Sequence, residues 1–318
     1  MTEHVTSPSE VRAAGGTITT GTRELDRASM RKARGYWGET WYQFRKNKVS
    51  MVALFVALFI VLCVVFSALI SRYITGFTPT ENHLADKLSP PFSNGYILGS
   101  DGNGRDVLTR LIYGGRASLL VAGLSAVGTL LIGTTLGSMA GYFGRWVDTA
   151  IARAVDILLS IPTLPLLILV SSLYRPGVGM LSAFIALVSW GGVTRLIRGE
   201  VLKIKHREYI DAAKLVGGTN FRIITRHIMP NVIPIVIVWL SLVIPGLILT
   251  EATLSYLGLG VHPPTPSWGN MLQESKQFFR SNWTLVFIPG FTIYIAALSI
   301  NLVGVGLRDA LDPHLRNK

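Results

Sequence analysis

From Val49 to Ile70 the chain reads VSMVALFVALFIVLCVVFSALI, 22 residues without a charge. As a helix at ~1.5 Å per residue this run is about 33 Å long, enough to cross a hydrocarbon core of roughly 30 Å. Inside lipid the backbone polar groups must be satisfied within the segment or within a closed barrel. Uninterrupted apolar character excludes the alternating pattern of a barrel strand, so the chain is constrained to an all-α, polytopic membrane protein. Five further apolar stretches have comparable length: Ala117–Gly141, Ala150–Tyr174, Val178–Ile197, Val232–Thr250 and Leu285–Leu307. Six transmembrane helices are therefore expected, consistent with 49% hydrophobic and only 15% charged residues.

An even number of spans places both termini on one side. Of the 30 Lys and Arg, 22 fall in the N-terminal segment, at Arg145 and Arg153 around the turn after the second span, between Arg195 and Arg226 from the end of the fourth span to the fifth, and in the tail, which assigns these to the cytoplasm. The expected division is 1–48, a cytoplasmic tail and interfacial helix; 49–71, the first span; 72–116, an extracytoplasmic loop; 117–310, a core of five more spans holding the polar segment 206–231; and 311–318, a cytoplasmic tail. Residues 1–30 have the Ser-, Thr- and Gly-rich composition of a disordered tail. Arg34–Lys48 mixes aromatic and basic residues as an interfacial amphipathic helix does. The net charge of +12 does not point to nucleic acid, because the basic residues flank spans instead of forming one patch. Cys63 is the single cysteine, so no intramolecular disulfide forms.

The polar segment carries two helical patterns. Tyr209, Ala212, Ala213 and Val216 share one face of a first helix, with Glu208 and Asp211 early and Lys214 late, as the helix dipole favours. Gly217 or Gly218 supplies the left-handed residue that ends it. Thr219 or Asn220 caps a second helix with Phe221, Ile224 and Ile228 on its apolar side, and Pro230 is expected to stop it. Asp211-Ala212-Ala213, Gly217 and Ile228-Met229-Pro230-Asn231 resemble the EAA loop of binding-protein-dependent ABC importer permeases. Asp211 replaces the usual Glu, His227 the Ile and Met229 the Leu, and the ending His227–Asn231 is similar to the dipeptide and oligopeptide branch. The resemblance implies a coupling helix seated in an ATPase subunit, with Glu208, Tyr209, Asp211, Ala212, Ala213, Val216, Gly217, Arg226, His227 and Pro230 as coupling residues.

Two outer segments extend the resemblance to the C-type permease of the dipeptide/oligopeptide/nickel group. One is Leu98-Gly99-Ser100-Asp101 with Gly104-Arg105-Asp106 and the following Leu108–Arg116. The other is Leu254–Gly260 with Pro266-Ser267-Trp268-Gly269. Asp101, Asn103 and Asp106 lack the spacing and terminal Glu of a calcium loop, so no metal site is expected. Val107, Leu108, Leu111 and Ile112 predict a short helix on the outer interface, and Trp268 and Trp283 predict interfacial anchors.

Asp156 would cost roughly 2.5–3.5 kcal/mol at a bilayer centre, which places it near a span end paired with Arg153. Trp190, Ser241, Glu251 and Asn301 are candidates for the translocation path. Pro162, Pro165, Pro234, Pro245 and Pro289 are candidate kinks. No Gly-Lys pair exists, so the chain cannot hold a phosphate-binding loop, and no catalytic constellation is evident. The resemblance implies a type I ABC importer permease fold, MetI-like, in a bacterial plasma membrane. Its implied partners are a second, B-type permease forming a heterodimer, two ATPase domains using Mg-ATP, an extracytoplasmic substrate-binding protein and a peptide substrate. Nickel, glutathione and oligosaccharide importers share these features. A secondary transporter or channel would carry coupling charges or a filter motif, and a membrane scaffold for an ATPase would bind it without substrate flux.

Overall fold

The computed structural model describes residues 36–311. The expected N-terminal tail and all but the first residue of the expected C-terminal tail lie outside them. The helices are α1 (Tyr36–Lys46), α2 (Lys48–Val65), α3 (Val107–Phe143), α4 (Arg145–Ser160), α5 (Thr163–Tyr174), α6 (Val178–Lys205), α7 (Glu208–Leu215), α8 (Met229–Tyr256), α9 (Trp268–Ser275) and α10 (Thr284–Leu311), joined by several single turns. The described residues before Phe44 and those from Phe44 onward belong to separate units. Among the described residues, five helices are long and apolar enough to cross a membrane, and α4 with α5 makes a sixth crossing if that bent pair is one span.

The bent pair occupies the span expected over Ala150–Tyr174 and breaks at Pro162, one of the kinks the sequence offered there. Its two halves meet at 81°. Pro162 disfavours helical backbone at Ile161, which is extended (φ −93°, ψ 126°), so the helix ends at Ser160. Pro165 falls in the first turn of α5, where a missing N–H has no intrahelical partner to lose.

The most extensive helix contact joins α3 and α6, and glycine makes it possible. Added Cβ atoms at Gly133, Gly137 and Gly141 would lie 2.6–2.8 Å from the Cβ atoms of Val193, Ile197 and Val201. Both series advance by about one turn per step in the same direction, so α3 and α6 are parallel. The chain from Gly144 to Gly177 must therefore return along the bundle, which is the crossing that α4 and α5 provide. Along α4, Asp156 pairs with Arg195 Nη2 on α6 at 2.6 Å, and Asp148 with Arg198 Nη2 at 2.7 Å. The local Arg153–Asp156 pair expected from sequence does not form, because a helix packed alongside supplies a closer guanidinium.

Replacing Gly137 with Ala places a methyl 2.8 Å from both Ile197 Cβ and the Thr194 carbonyl oxygen. Overpacking of this kind costs typically ~1–3 kcal/mol. A lower melting temperature is expected in detergent for Gly137→Ala, with no loss for Gly123→Ala, where nothing lies within 4 Å. Equal melting of the two variants would contradict the close packing.

Elsewhere α3 is one continuous 37-residue helix, so the short interfacial helix expected after Asp106 is simply its first turns. Near the start of α2, Ser50 Oγ donates to the Leu302 carbonyl at 3.3 Å. A Cβ on Gly306 would lie 2.0 Å from Ser50 Oγ and 2.4 Å from Ser50 Cβ, so the missing side chain is what lets α10 close on α2 there.

Candidate functional site

The polar segment 206–231 is built from two faces of opposite character. Ile210 (0% exposed), Ile223 (1%) and Ile228 (0%) turn inward and pack with Val201 and Ile204 of α6 and Val232 of α8. Tyr142 at the end of α3 donates its hydroxyl to Asn220 Oδ1 at 2.9 Å. The segment is therefore fastened to the ends of three long helices. Outward, Leu215 and Val216 are each 89% exposed and Phe221 78%, an expanse of apolar surface that a protein normally covers.

Several expectations for this segment change. Tyr209 is exposed, Ala212 and Val216 are exposed, but Ala213 is half-buried against the isoleucine cluster, so the four do not share one free face. Phe221 points out rather than joining Ile228, and Leu215, which the periodicity did not select, is as exposed as Val216. Gly217 is the left-handed residue (φ 82°), and Thr219 is the cap, its Oγ1 accepting from Arg222 N at 3.3 Å. Pro230 does not stop the second helix. Asn220–Tyr256 is one helical rod, with a π turn at Ile224–Ile228 whose wider bond, Met229 N to Ile224 O, precedes the proline that lacks its own donor. Glu208, Asp211 and Arg226 are exposed, and His227 is half-buried with its carbonyl accepting from Asn231 Nδ2 at 2.6 Å. The Lys214 ammonium bonded to Asp211 at 2.8 Å holds that carboxyl below the usual carboxylate range.

The opposite end carries a buried ionic network. Arg105 Nε donates to Asp101 Oδ2 at 2.7 Å, Arg110 Nη2 to Glu274 Oε2 at 2.9 Å, and Arg105 also bonds Glu274. Asp101 Oδ1 accepts from the backbone N–H of Asn103 and Arg105, so its oxygens already have partners. Gly104 (φ 76°) passes so close to the His83 carbonyl that any side chain would collide. The Gly99 carbonyl accepts from Val107 N at 3.1 Å. Asp106 caps α3 through Thr109 N at 2.7 Å, and burial pushes its carboxyl up despite the Thr109 bonds. Glu274 was not legible in the sequence, since it lies outside both motifs and its partners are more than 160 positions away.

Trp268 is 1% exposed, which corrects its expected role as an interfacial anchor; Trp283 is 59% exposed. Trp268 Nε1 donates to the Leu111 carbonyl at 2.8 Å and its backbone N to Ser118 Oγ at 3.2 Å, pinning the loop after α8 onto α3. Gly269 lies against Ala252, where a Cβ would be 2.6 Å from the carbonyl oxygen. Glu251 sits beneath, fully buried, accepting from Ser255 Oγ at 2.6 Å with Ser118 and Ser267 around the same carboxyl. Ser241 is in the α8–α10 contact against Gly304, one turn from Asn301, while Trp190 is half-buried on α6. Glu251 lies ten residues beyond Ser241, about 15 Å along α8. The four path candidates are not brought together.

Residues 133–317 match the family described as the binding-protein-dependent transport system inner membrane component. The chain belongs to this permease family. Residues 35–91 also match the N-terminal TM domain of oligopeptide transport permease C. The dipeptide transport system permease protein of Alkalihalophilus pseudofirmus is 39% identical to this permease, over 88% of this chain and 91% of that one. The oligopeptide transport system permease protein of Bacillus subtilis is 38% identical over 90% and 92%. The glutathione transport system permease protein of Pectobacterium atrosepticum is 35% identical over 90% and 94%. A solved inward-facing methionine ABC transporter chain superposes with a TM-score of 0.52 at 17% identity, covering 64% of this chain and 96% of that one, a likeness of fold. This permease is thus a multi-pass inner-membrane protein with the importer permease fold, in a family of transport subunits.

Proposed function

We propose that this permease is the translocation subunit of an ATP-driven importer of di- or oligopeptides. The observation that carries the mechanism is the two-faced coupling segment, apolar and exposed at Leu215, Val216 and Phe221 and locked inside by Ile210, Ile223 and Ile228. A push on the outer face displaces the ends of α3, α6 and α8 together, since a packed interior transmits strain. Two separate ATPase domains holding Mg-ATP supply that push, a second permease completes the pathway, and an extracytoplasmic binding protein delivers the peptide. The curated relatives named for dipeptides and oligopeptides support the cargo class. The relative named for glutathione supports a second reading, a small thiol peptide.

The basic bias supports cytoplasmic termini and a cytoplasmic coupling segment. In intact cells, cysteine at Thr219 is expected to resist an impermeant thiol reagent and cysteine at Asn94 to react. Labelling of Thr219→Cys from outside would overturn the orientation. For cargo, the complete complex in proteoliposomes is expected to accumulate labelled di- and tripeptides only with Mg-ATP and binding protein. Uptake driven by a proton gradient without ATP would overturn the importer, and glutathione uptake without dipeptide uptake would favour the second reading.

A further inference from the structure

Two apolar grooves meet on the face between α2 and α10. One, about 410 Å³, is lined by Lys48, Val49, Val52, Ala53, Leu298 and Leu302 among others. The second, about 430 Å³, continues from Val56 and Ile295, which line both, towards Cys63, Leu108 and Trp268. Val49 and Val52 are 60% and 63% exposed, so the first groove is accessible from the side of the bundle. Among the described residues Lys48 is the only charged one lining either groove.

The geometry points to a binding site for one acyl chain of an anionic phospholipid in the first groove, with its phosphate on the Lys48 ammonium. From Lys48 to Val56 is eight residues, about 12 Å of helix, close to the ~15 Å depth of one leaflet's share of the hydrocarbon core. A chain lying there meets Val, Ala and Leu throughout and ends at a cation. Among the described residues no carboxylate pairs with Lys48, and Arg45, at the end of α1, adds positive charge near it in the sequence. Basic residues at a span end attract anionic headgroups. A second protein helix would also fill an apolar groove, but it would need a carboxylate placed at the span end to meet Lys48, whereas an anionic phospholipid carries its charge at that depth.

The test uses the assembled transporter in equal phosphatidylglycerol and phosphatidylcholine, stripped stepwise with detergent, with retained lipid weighed by native mass spectrometry. Wild type is expected to keep phosphatidylglycerol in preference. Lys48→Gln should reduce phosphatidylglycerol retention about fivefold, the ratio for one basic residue at an anionic surface, and leave phosphatidylcholine unchanged. Val52→Trp fills the groove from its exposed side and should reduce retention of both lipids. Wild-type retention by Val52→Trp overturns the site even if Lys48→Gln loses lipid, because the effect is then headgroup charge alone. Efficient cross-linking of a cysteine at Val52 to the second permease overturns it as well, since a protein helix then covers the groove.

Discussion

Phe221→Asp, or Leu215→Asp with Val216→Asp, is expected to abolish copurification of the ATPase subunits while the permease inserts at normal abundance. All three side chains face outward and contribute little to the fold, at 78%, 89% and 89% exposure. Once docked they become buried, and a carboxylate placed there is a buried charge without a partner, costing about 3–5 kcal/mol. That corresponds to a loss of affinity of roughly a hundredfold to a few thousandfold. Substrate-stimulated hydrolysis should fall in parallel. Ala213→Glu is a poorer probe than its position in the motif suggests, because Ala213 packs partly against the Ile210 cluster and its replacement also disturbs folding. Lys214→Glu breaks only an exposed pair with Asp211 and should couple nearly normally. Normal copurification and hydrolysis for Phe221→Asp would show that the coupling surface lies elsewhere.

Glu274→Ala is expected to destabilise the other end of the molecule more than any neighbouring surface change. Glu274 neutralises Arg110, which is 3% exposed, and Arg105, which is 8% exposed; without it two guanidinium groups share Asp101 alone. Breaking a buried ionic network by removing one partner costs about 3–5 kcal/mol. At this chain length that lowers the melting temperature by roughly 5–8 °C. Lys276→Ala, two residues away and exposed, should melt like the wild type. Glu274→Gln should fall between, since the amide oxygen still accepts a hydrogen bond but carries no charge. Wild-type melting of Glu274→Ala would mean that the network forms without stabilising the loop.

Much of the architecture was legible because it depends on local rules. An uncharged run as long as Val49–Ile70 has few options in lipid, and the structure places α2 there, with short helical turns carrying it on to Thr75. Gly217 and Thr219 could be recognised, each as one of two neighbouring candidates, as a left-handed terminator and a cap, because these roles depend on the residue and its immediate neighbours. The family motifs located the coupling segment and the outer loop by number, though not what their side chains touch.

Sequence by itself determined the all-helical membrane class, the order of the spans, the terminators of the coupling segment and the family, since length, charge and spacing follow the chain. Tertiary structure alone decided which faces are inside. Periodicity groups residues on a helix but names no neighbour, so it set Tyr209 and Ala213 together where packing separates them and placed Phe221 with the core it leaves. It offered Arg153 to Asp156 because they are one turn apart, whereas the closer guanidinium belongs to Arg195, 39 residues away on α6. Trp268 was assigned to the interface by residue type and is instead held in the core by Leu111 and Ser118, groups more than 100 positions distant. In each case the deciding contact joins segments remote in the chain, and only the packing of the helices brings them within reach.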